Sequence, residues 1–292
     1  MKKQHKQTVL LAGATGYLGS YIAEALSQDQ IACKLIARTP SKLKELESKT
    51  VKIISAQVTN PNSLKGICEG VTTVISTIGI TRQKDGLTYM DVDYQANMNL
   101  LNEAKKAGVR KFIYVSAING TKYRHLKIFE AKEKFVDALK LSGLTYTVIR
   151  PNGFFSDMKD FLQMAKRGRV YLFGKGDQKF NPIHGEDLAT LCVQSIFQQK
   201  SEIVVGGPDI LTLKEISEMA LDAYQKPIKI THLPDFLRKI LIWSLRNFTS
   251  SKTYGPIEFF LTLMAEDNIA PRYGSKRLSH FFEVCVQTNT KK

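Results

Sequence analysis

The 292-residue chain has one tryptophan and four cysteines. Cys33, Cys68, Cys192 and Cys285 stand far apart, with no C-x-x-C pair and no metal-ligand spacing. Such cysteines read as buried thiols of a reducing compartment, which predicts neither disulfides nor a zinc site. No window approaches the ~18 uninterrupted apolar residues of a bilayer-spanning helix. The opening MKKQHK has the charge of a secretion signal, but Gly13 and Gly16 cut short the apolar run that follows. These absences predict a cytoplasmic protein. Acids are scarce too: 27 Asp and Glu against 42 Lys and Arg leave a formal charge of +15. The excess is spread along the chain, densest over 105–140 and after 226, without the aromatic platform of a nucleic-acid binder. It suits attraction to phosphates, anionic cofactors and anionic membranes.

Short β-rich runs are present instead, alternating with helical ones. Strands are predicted over 9–12, 32–37, 52–55, 73–78, 111–116 and 145–150, and helices over 20–28, 41–48, 62–69, 90–107 and 129–141. The strands are continuous Val/Ile/Leu runs rather than alternations, as when both faces are buried. Repeats of this kind predict a doubly wound α/β parallel sheet. After Pro151 the pattern loosens into a helix over 185–197, a strand over 203–205 and a mostly helical stretch over 212–263.

The stretch TVLLAGATGYLGSYIAEAL sets Gly13, Gly16 and Gly19 between a strand and a helix. In that context the first glycine permits a tight turn. The second lets a pyrophosphate approach the backbone, and the third lets the helix pack on its strand. With Thr15, Tyr17 and Leu18 between the glycines, the turn is a predicted dinucleotide cradle at a helix N-terminus. A site that prefers NAD has Asp or Glu at the end of the second strand to grip the ribose. This chain has Arg38 there, and a guanidinium pairs with a 2′-phosphate where a carboxylate repels it. The expected cofactor is therefore NADP(H).

With these residues the chain resembles the short-chain dehydrogenase/reductase superfamily. The resemblance is to its atypical branch of NmrA-like, isoflavone-reductase-like and divinyl-chlorophyllide-reductase-like proteins. It rests on GATGYLG, VDYQANMNLLNEAKKAGVRKFIYVSA, SGLTYTVIRPNGFF, FGKGDQKFNPIHGEDLA and GGPDILTLKEI, in that order. It implies a Rossmann-type sheet with a small, mostly helical C-terminal substrate lobe. The core would run over 1–155 with 181–207 returning to it, and the lobe over 156–180 and 208–292. Carried over, Thr77, Ile78 and Gly79 would line the cofactor cleft. Gln57 and Val58 would lie by the adenine, with Gln57 departing from the family's frequent acid. Pro151, Asn152 and Phe154 would pack by the nicotinamide.

The superfamily's catalytic set is a serine, then Tyr-x-x-x-Lys on one helix face, where the cation favours the phenolate. Ser116 and Lys132 match the serine and lysine, and Lys132 would hold the nicotinamide ribose. Ile128 stands where the tyrosine belongs. Tyr123 and Lys127 have the right spacing but fall about one turn too early. The proton donor stays open among Ser116, Tyr123 and water. His184 and Asn97 read as structural. The expected function is NADP(H)-dependent hydride transfer to a small or lipid-like substrate in a pocket made by 80–84, 154–161 and the lobe. The alternative is a non-catalytic NADPH-binding sensor or assembly factor. A sugar-nucleotide epimerase ranks last because the tyrosine is missing.

LPDFLRKILIWSLRNF, residues 233–248, is amphipathic at helical spacing. Its first reading is a lid that packs Phe236, Leu237, Ile240, Leu241, Leu245 and Phe248 over the substrate. Its second is weak peripheral contact with an anionic membrane through Trp243 and the flanking cations.

Overall fold

A computed structural model describes residues 7–81, 83 and 86–290. The opening MKKQHK, and Lys84 at the end of the expected pocket loop, lie outside the described residues. The chain divides into two compact units, Met1–Arg150 with Leu188–Ile203, and Pro151–Asp187 with Val204–Lys292.

In the first unit the predicted strands form as β1 (Thr8–Ala12), β2 (Ala32–Ala37), β3 (Val51–Ser55), β4 (Thr73–Ser76), β5 (Lys111–Val115) and β6 (Thr145–Pro151). All pair in parallel, and every residue of β4 and β5 is buried, which is why the runs Val74-Ile75 and Phe112 to Val115 are unbroken by charge while Thr73, Ser76 and Lys111 stand at the strand ends. The later strands are β7 (Val170–Phe173), β8 (Lys179–Phe180), β9 (Glu202–Val205), β10 (Leu211–Thr212) and β11 (Ile230–Leu233). The central sheet runs β3-β2-β1-β4-β5-β6-β9. Its order reverses between β1 and β4, so the crevice for a ligand opens at the carboxyl ends of these strands.

The crossovers differ from the prediction in instructive ways. Helix α1 (Tyr17–Gln28) starts at Tyr17, because Gly16 takes the extended N-cap conformation. The helices expected over 41–48 and 62–69 are short 3₁₀ segments, Pro40–Leu46 and Pro61–Leu64. Each opens with a proline that pre-sets φ, but buries only one side chain, Leu43 or Leu64. That is too little apolar face to propagate an α-helix. The helix expected over 90–107 is a π-helix, Met90–Ala96, running into α2 (Asn97–Lys106). Asn97 Nδ2 donates to the carbonyls of Asp93, at 2.9 Å, and Val92, at 3.4 Å. Its Oδ1 accepts from Ser76 of β4 at 2.5 Å, a cross-link to the sheet that gives Asn97 a structural role. Helix α3 (Lys127–Lys140) buries a stripe of Ile128, Ala131, Phe135 and Leu139.

The second unit holds helices α4 (Lys159–Lys166), α6 (Leu213–Ala223), α7 (Asp235–Phe248), α8 (Ser251–Leu263) and α9 (Leu278–Thr290); α5 (Gly185–Gln194) comes between α4 and α6 in the chain. Phe155, Phe161, Phe180, Ile216 and Phe282 form its core. It carries more strand than predicted: β11 lies parallel to β7, and β10 antiparallel to β8.

Candidate functional site: a dinucleotide cradle and a buried ion pair

The strand register assembles the first part of the site. Ala12 of β1 stands opposite Ile36 of β2 and Ser76 of β4. Gly13, Arg38 and Thr77 therefore leave adjacent strands at one sheet edge. Gly13 has φ +91°, and a Cβ there would meet Thr77 Oγ1 at 2.4 Å. The Thr77 hydroxyl donates to the carbonyl of Ala12 at 3.1 Å, locking the turn to β4. A Cβ on Gly19 would come within 1.9 Å of the Gly13 carbonyl oxygen, so the helix meets the turn at backbone contact. Thr15 and Gly16 are exposed, Tyr17 is half-buried and Leu18 is buried. The first turn of α1 has no side-chain cap and no acid, which leaves a bare positive helix end. Gly13→Ala is expected to cost about 1–3 kcal/mol from the left-handed backbone and the collision with Thr77. It should also weaken dinucleotide binding; thermal melting and fluorescence titration of NADPH check both.

Arg38 follows β2 and is exposed. Gln57 lies beyond β3, also exposed, with its Nε2 donating to Thr59 at 2.9 Å. Ser63 closes that loop by donating to the Gln57 carbonyl at 2.8 Å and accepting from its N–H at 3.0 Å. Val58 packs on the core, and its carbonyl accepts from Asn99 Nδ2 at 3.1 Å.

The second part is a charged pair beneath Gly79. Lys132 Nζ lies 2.7 Å from Asp93 Oδ1, with side chains 12% and 0% exposed. Asp93 sits within the π-helix, and its Oδ2 accepts from the Ile80 N–H at 3.1 Å. A Cβ on Gly79 would stand 2.7 Å from both Asp93 Oδ1 and Lys132 Nζ, so a side chain there would push the pair aside. Ile78, just before it, packs on the core. Tyr114 of β5 is fully buried beside Lys132, whose Nζ is 5.9 Å from its ring centre. Burial pushes the Tyr114 phenol up. Its hydroxyl feels the ammonium's charge without a well-aligned hydrogen bond. Burial alone would lower the Lys132 pKa, but the Asp93 carboxylate outweighs it and holds the ammonium above the usual lysine range.

Ser116 is buried just past β5, and its hydroxyl donates to Glu133 Oε1 at 3.3 Å. Glu133 in turn accepts two bonds from the Arg150 guanidinium, at 2.6 and 2.9 Å, and Arg150 also reaches Glu202 at 2.5 Å. Ile128 is buried in α3. Tyr123 precedes that helix and stacks on Phe129 at 6.1 Å, while Lys127 is half-exposed and ion-paired with Glu130. The Tyr123/Lys127 spacing therefore does not lie on one helix face, which a shared helix would have required.

The remaining predicted residues belong to the second unit. Pro151 closes β6. The Asn152 amide is tied to Asn181 Oδ1 at 2.8 Å and to the Asn268 carbonyl at 2.6 Å. Phe154 is half-buried and bridges to Ile183. His184 packs edge-on against Phe155 and Phe281, at 5.5 and 5.8 Å, and burial lowers its pKa. Its Nδ1 accepts from the Glu186 N–H at 3.2 Å, a local structural contact.

The profile of a family described as NAD(P)H-binding matches residues 13–199. The chain belongs to the NAD(P)H-binding family. Its relatives place it in the atypical, NmrA-like branch of the short-chain dehydrogenases/reductases. Divinyl chlorophyllide a 8-vinyl-reductase of Zea mays is 26% identical over 318 residues, covering 96% of this chain and 79% of the relative. A photosystem II assembly factor of Guillardia theta is 25% identical over 232 residues, 78% of this chain and 73% of that one. The NADPH-dependent quinone oxidoreductase of Escherichia coli, solved with NADPH, matches at TM-score 0.69 and 17% identity over 97% and 99% of the two chains. That last likeness is one of fold.

The cradle of this NAD(P)H-binding protein fits such a cofactor. A side chain on Gly13 would fill the turn, and the helix end behind it carries no competing acid. Two participants escaped the sequence reading. Asp93 sits inside VDYQAN with no motif that marks it, and Tyr114 reads as one more residue of an apolar strand. The signal for Asp93 was an acid inside a helix that otherwise turns Val92 and Ala96 inward. A lone buried carboxylate there requires a cation.

Proposed function

We propose that the protein is an NADP(H)-dependent reductase of the atypical short-chain type, passing hydride to a small or lipid-like organic substrate. The observation that carries this reading is Arg38, exposed at the end of β2 beside the glycine turn, where an acid would select NAD. A vinyl reductase among the relatives supports a carbon–carbon double bond as the acceptor. Bound NADPH would supply the hydride, which is the cofactor's own chemistry. The chain's residues do the rest. Gly13 to Gly19 bind the pyrophosphate, Arg38 takes the 2′-phosphate, and Lys132, held by Asp93, offers its ammonium to the nicotinamide ribose. The test is anaerobic NADPH consumption with a panel of conjugated alkenes and quinones. Turnover of any member, lost in the double variant Asp93→Leu with Lys132→Met, which keeps the fold without the buried charges, supports the reading.

A second reading, a non-catalytic NADPH-responsive assembly factor, is favoured by Ile128, a buried hydrocarbon where the proton-donating phenol belongs. The ion-paired Glu133 that takes up the Ser116 hydroxyl points the same way. NADPH binding with no turnover across the whole panel would select it.

A further inference from the structure

Helix α7 departs from the lid reading of its sequence. Five of the six apolar residues expected to pack inward are on the outside: Phe236 is 58% exposed, Leu237 37%, Ile240 53%, Leu241 39% and Phe248 76%, joined there by Trp243 at 62%. No residue of the helix is buried. At 100° per residue these six side chains fall within an arc of about 160°. The opposite face carries Arg238, folded back onto Asp235 at 2.6 Å, with half-buried Ile242 and Leu245. Arg246 ties the helix to the buried Glu258 of α8. The helix is thus anchored by polar contacts on one side and presents hydrocarbon on the other.

We propose that α7 docks this protein on an anionic lipid surface, lying in the plane of the interface. Three observations select lipid as the occupant. The first is charge: residues 226–252 contain six cations, Lys226, Lys229, Arg238, Lys239, Arg246 and Lys252, against one acid, Asp235. A second copy of the same chain would bring those like charges together, whereas anionic headgroups complement them. The second is composition: Trp243 lies at one edge of the face, edge-on to Phe248 at 6.2 Å, and an amphipathic indole suits the headgroup boundary. The third is length: at 14 residues α7 reaches about 21 Å, short of a hydrocarbon core. No helix among the described residues is long and apolar enough to cross a membrane. The helix lies on the bilayer rather than through it. This surface also suits a lipid-like substrate, but docking stands without the reductase reading, since it requires neither cofactor nor turnover.

Trp243 is the chain's single tryptophan, so its fluorescence reports this face alone. The full chain is titrated with phosphatidylcholine vesicles, and with vesicles in which about a third of the lipid is phosphatidylglycerol. The expected result is a blue shift and co-sedimentation on the anionic vesicles at low salt, about ten-fold weaker on neutral ones and reversed by added salt. Phe236→Glu, which keeps the reporter, should abolish the shift while its thermal melting and NADPH binding match the parent. Lys239→Glu should weaken binding and flatten its salt dependence. No shift and no sedimentation at low salt overturns the proposal. So does a concentration-dependent dimer that Phe236→Glu abolishes, which would assign the face to a second copy.

Discussion

Replacing Arg38 by Asp is expected to lower NADPH affinity by at least ten-fold and to narrow or reverse the preference over NADH. A charge-assisted, bidentate phosphate contact is worth about 1.5–3 kcal/mol, and every 1.4 kcal/mol is roughly a factor of ten. The carboxylate adds repulsion toward a 2′-phosphate while gaining a hydrogen bond from a 2′-hydroxyl. Arg38 is exposed, and β2 stands beside β1 in register, so the exchange disturbs no packing and melting should not move. Titrating both cofactors into the parent and Arg38→Asp decides the matter. Equal affinities in the parent would end the NADP(H) assignment, whatever the variant does.

What could be read in the sequence is what local chemistry determines. β4 and β5 announced themselves because strands buried on both faces carry apolar runs without alternation, here Val74-Ile75 and Phe112 to Val115. The glycine turn was legible because its three glycines answer to separate steric demands, and Gly13 and Gly19 meet theirs at backbone distance. Some of the features that escaped depend on partners remote in the chain, and one, the π-helix, on a side chain only four and five residues away. β7 and β11 are four-residue strands whose only signal is each other. The π-helix arises where the Asn97 side chain takes up carbonyls of Val92 and Asp93, a competition that no periodicity displays. Asp93 needed Lys132, which lies beyond β5 in the chain, on α3. The outward face of α7 was hidden for another reason. Amphipathic spacing shows that a helix has two faces, not which of them meets solvent.

The Asp93–Lys132 pair leads to the other large effect. If Lys132 only held a ribose, Lys132→Ala would weaken cofactor binding and leave the fold untouched. The structure demands more, because removing the ammonium leaves the Asp93 carboxylate fully buried with the Ile80 N–H as its remaining polar contact. Breaking a buried pair in this way costs about 3–5 kcal/mol. At about 2–4 °C per kcal/mol, the melting temperature should fall by roughly 6–20 °C. Lys134→Ala, which loses only a cation–π contact with Tyr94 at 4.5 Å, should shift melting by a small fraction of that. The double variant Asp93→Leu with Lys132→Met removes both charges and should recover most of the lost stability, but not the cofactor affinity. The pH dependence has a definite sign. The folded Lys132 pKa is raised, so its contribution is complete below the unfolded lysine value near 10.4 and disappears only as pH climbs through the higher folded value. Burial already raises the Asp93 pKa and the ammonium is what opposes it, so the gap between parent and Lys132→Ala should narrow toward acid, as the variant's Asp93 takes up a proton, and on the alkaline side only as pH climbs through the raised Lys132 value. A gap that widens toward acid, or a single variant that melts like the parent at every pH, would mean that the pair does not carry the charge assigned to it.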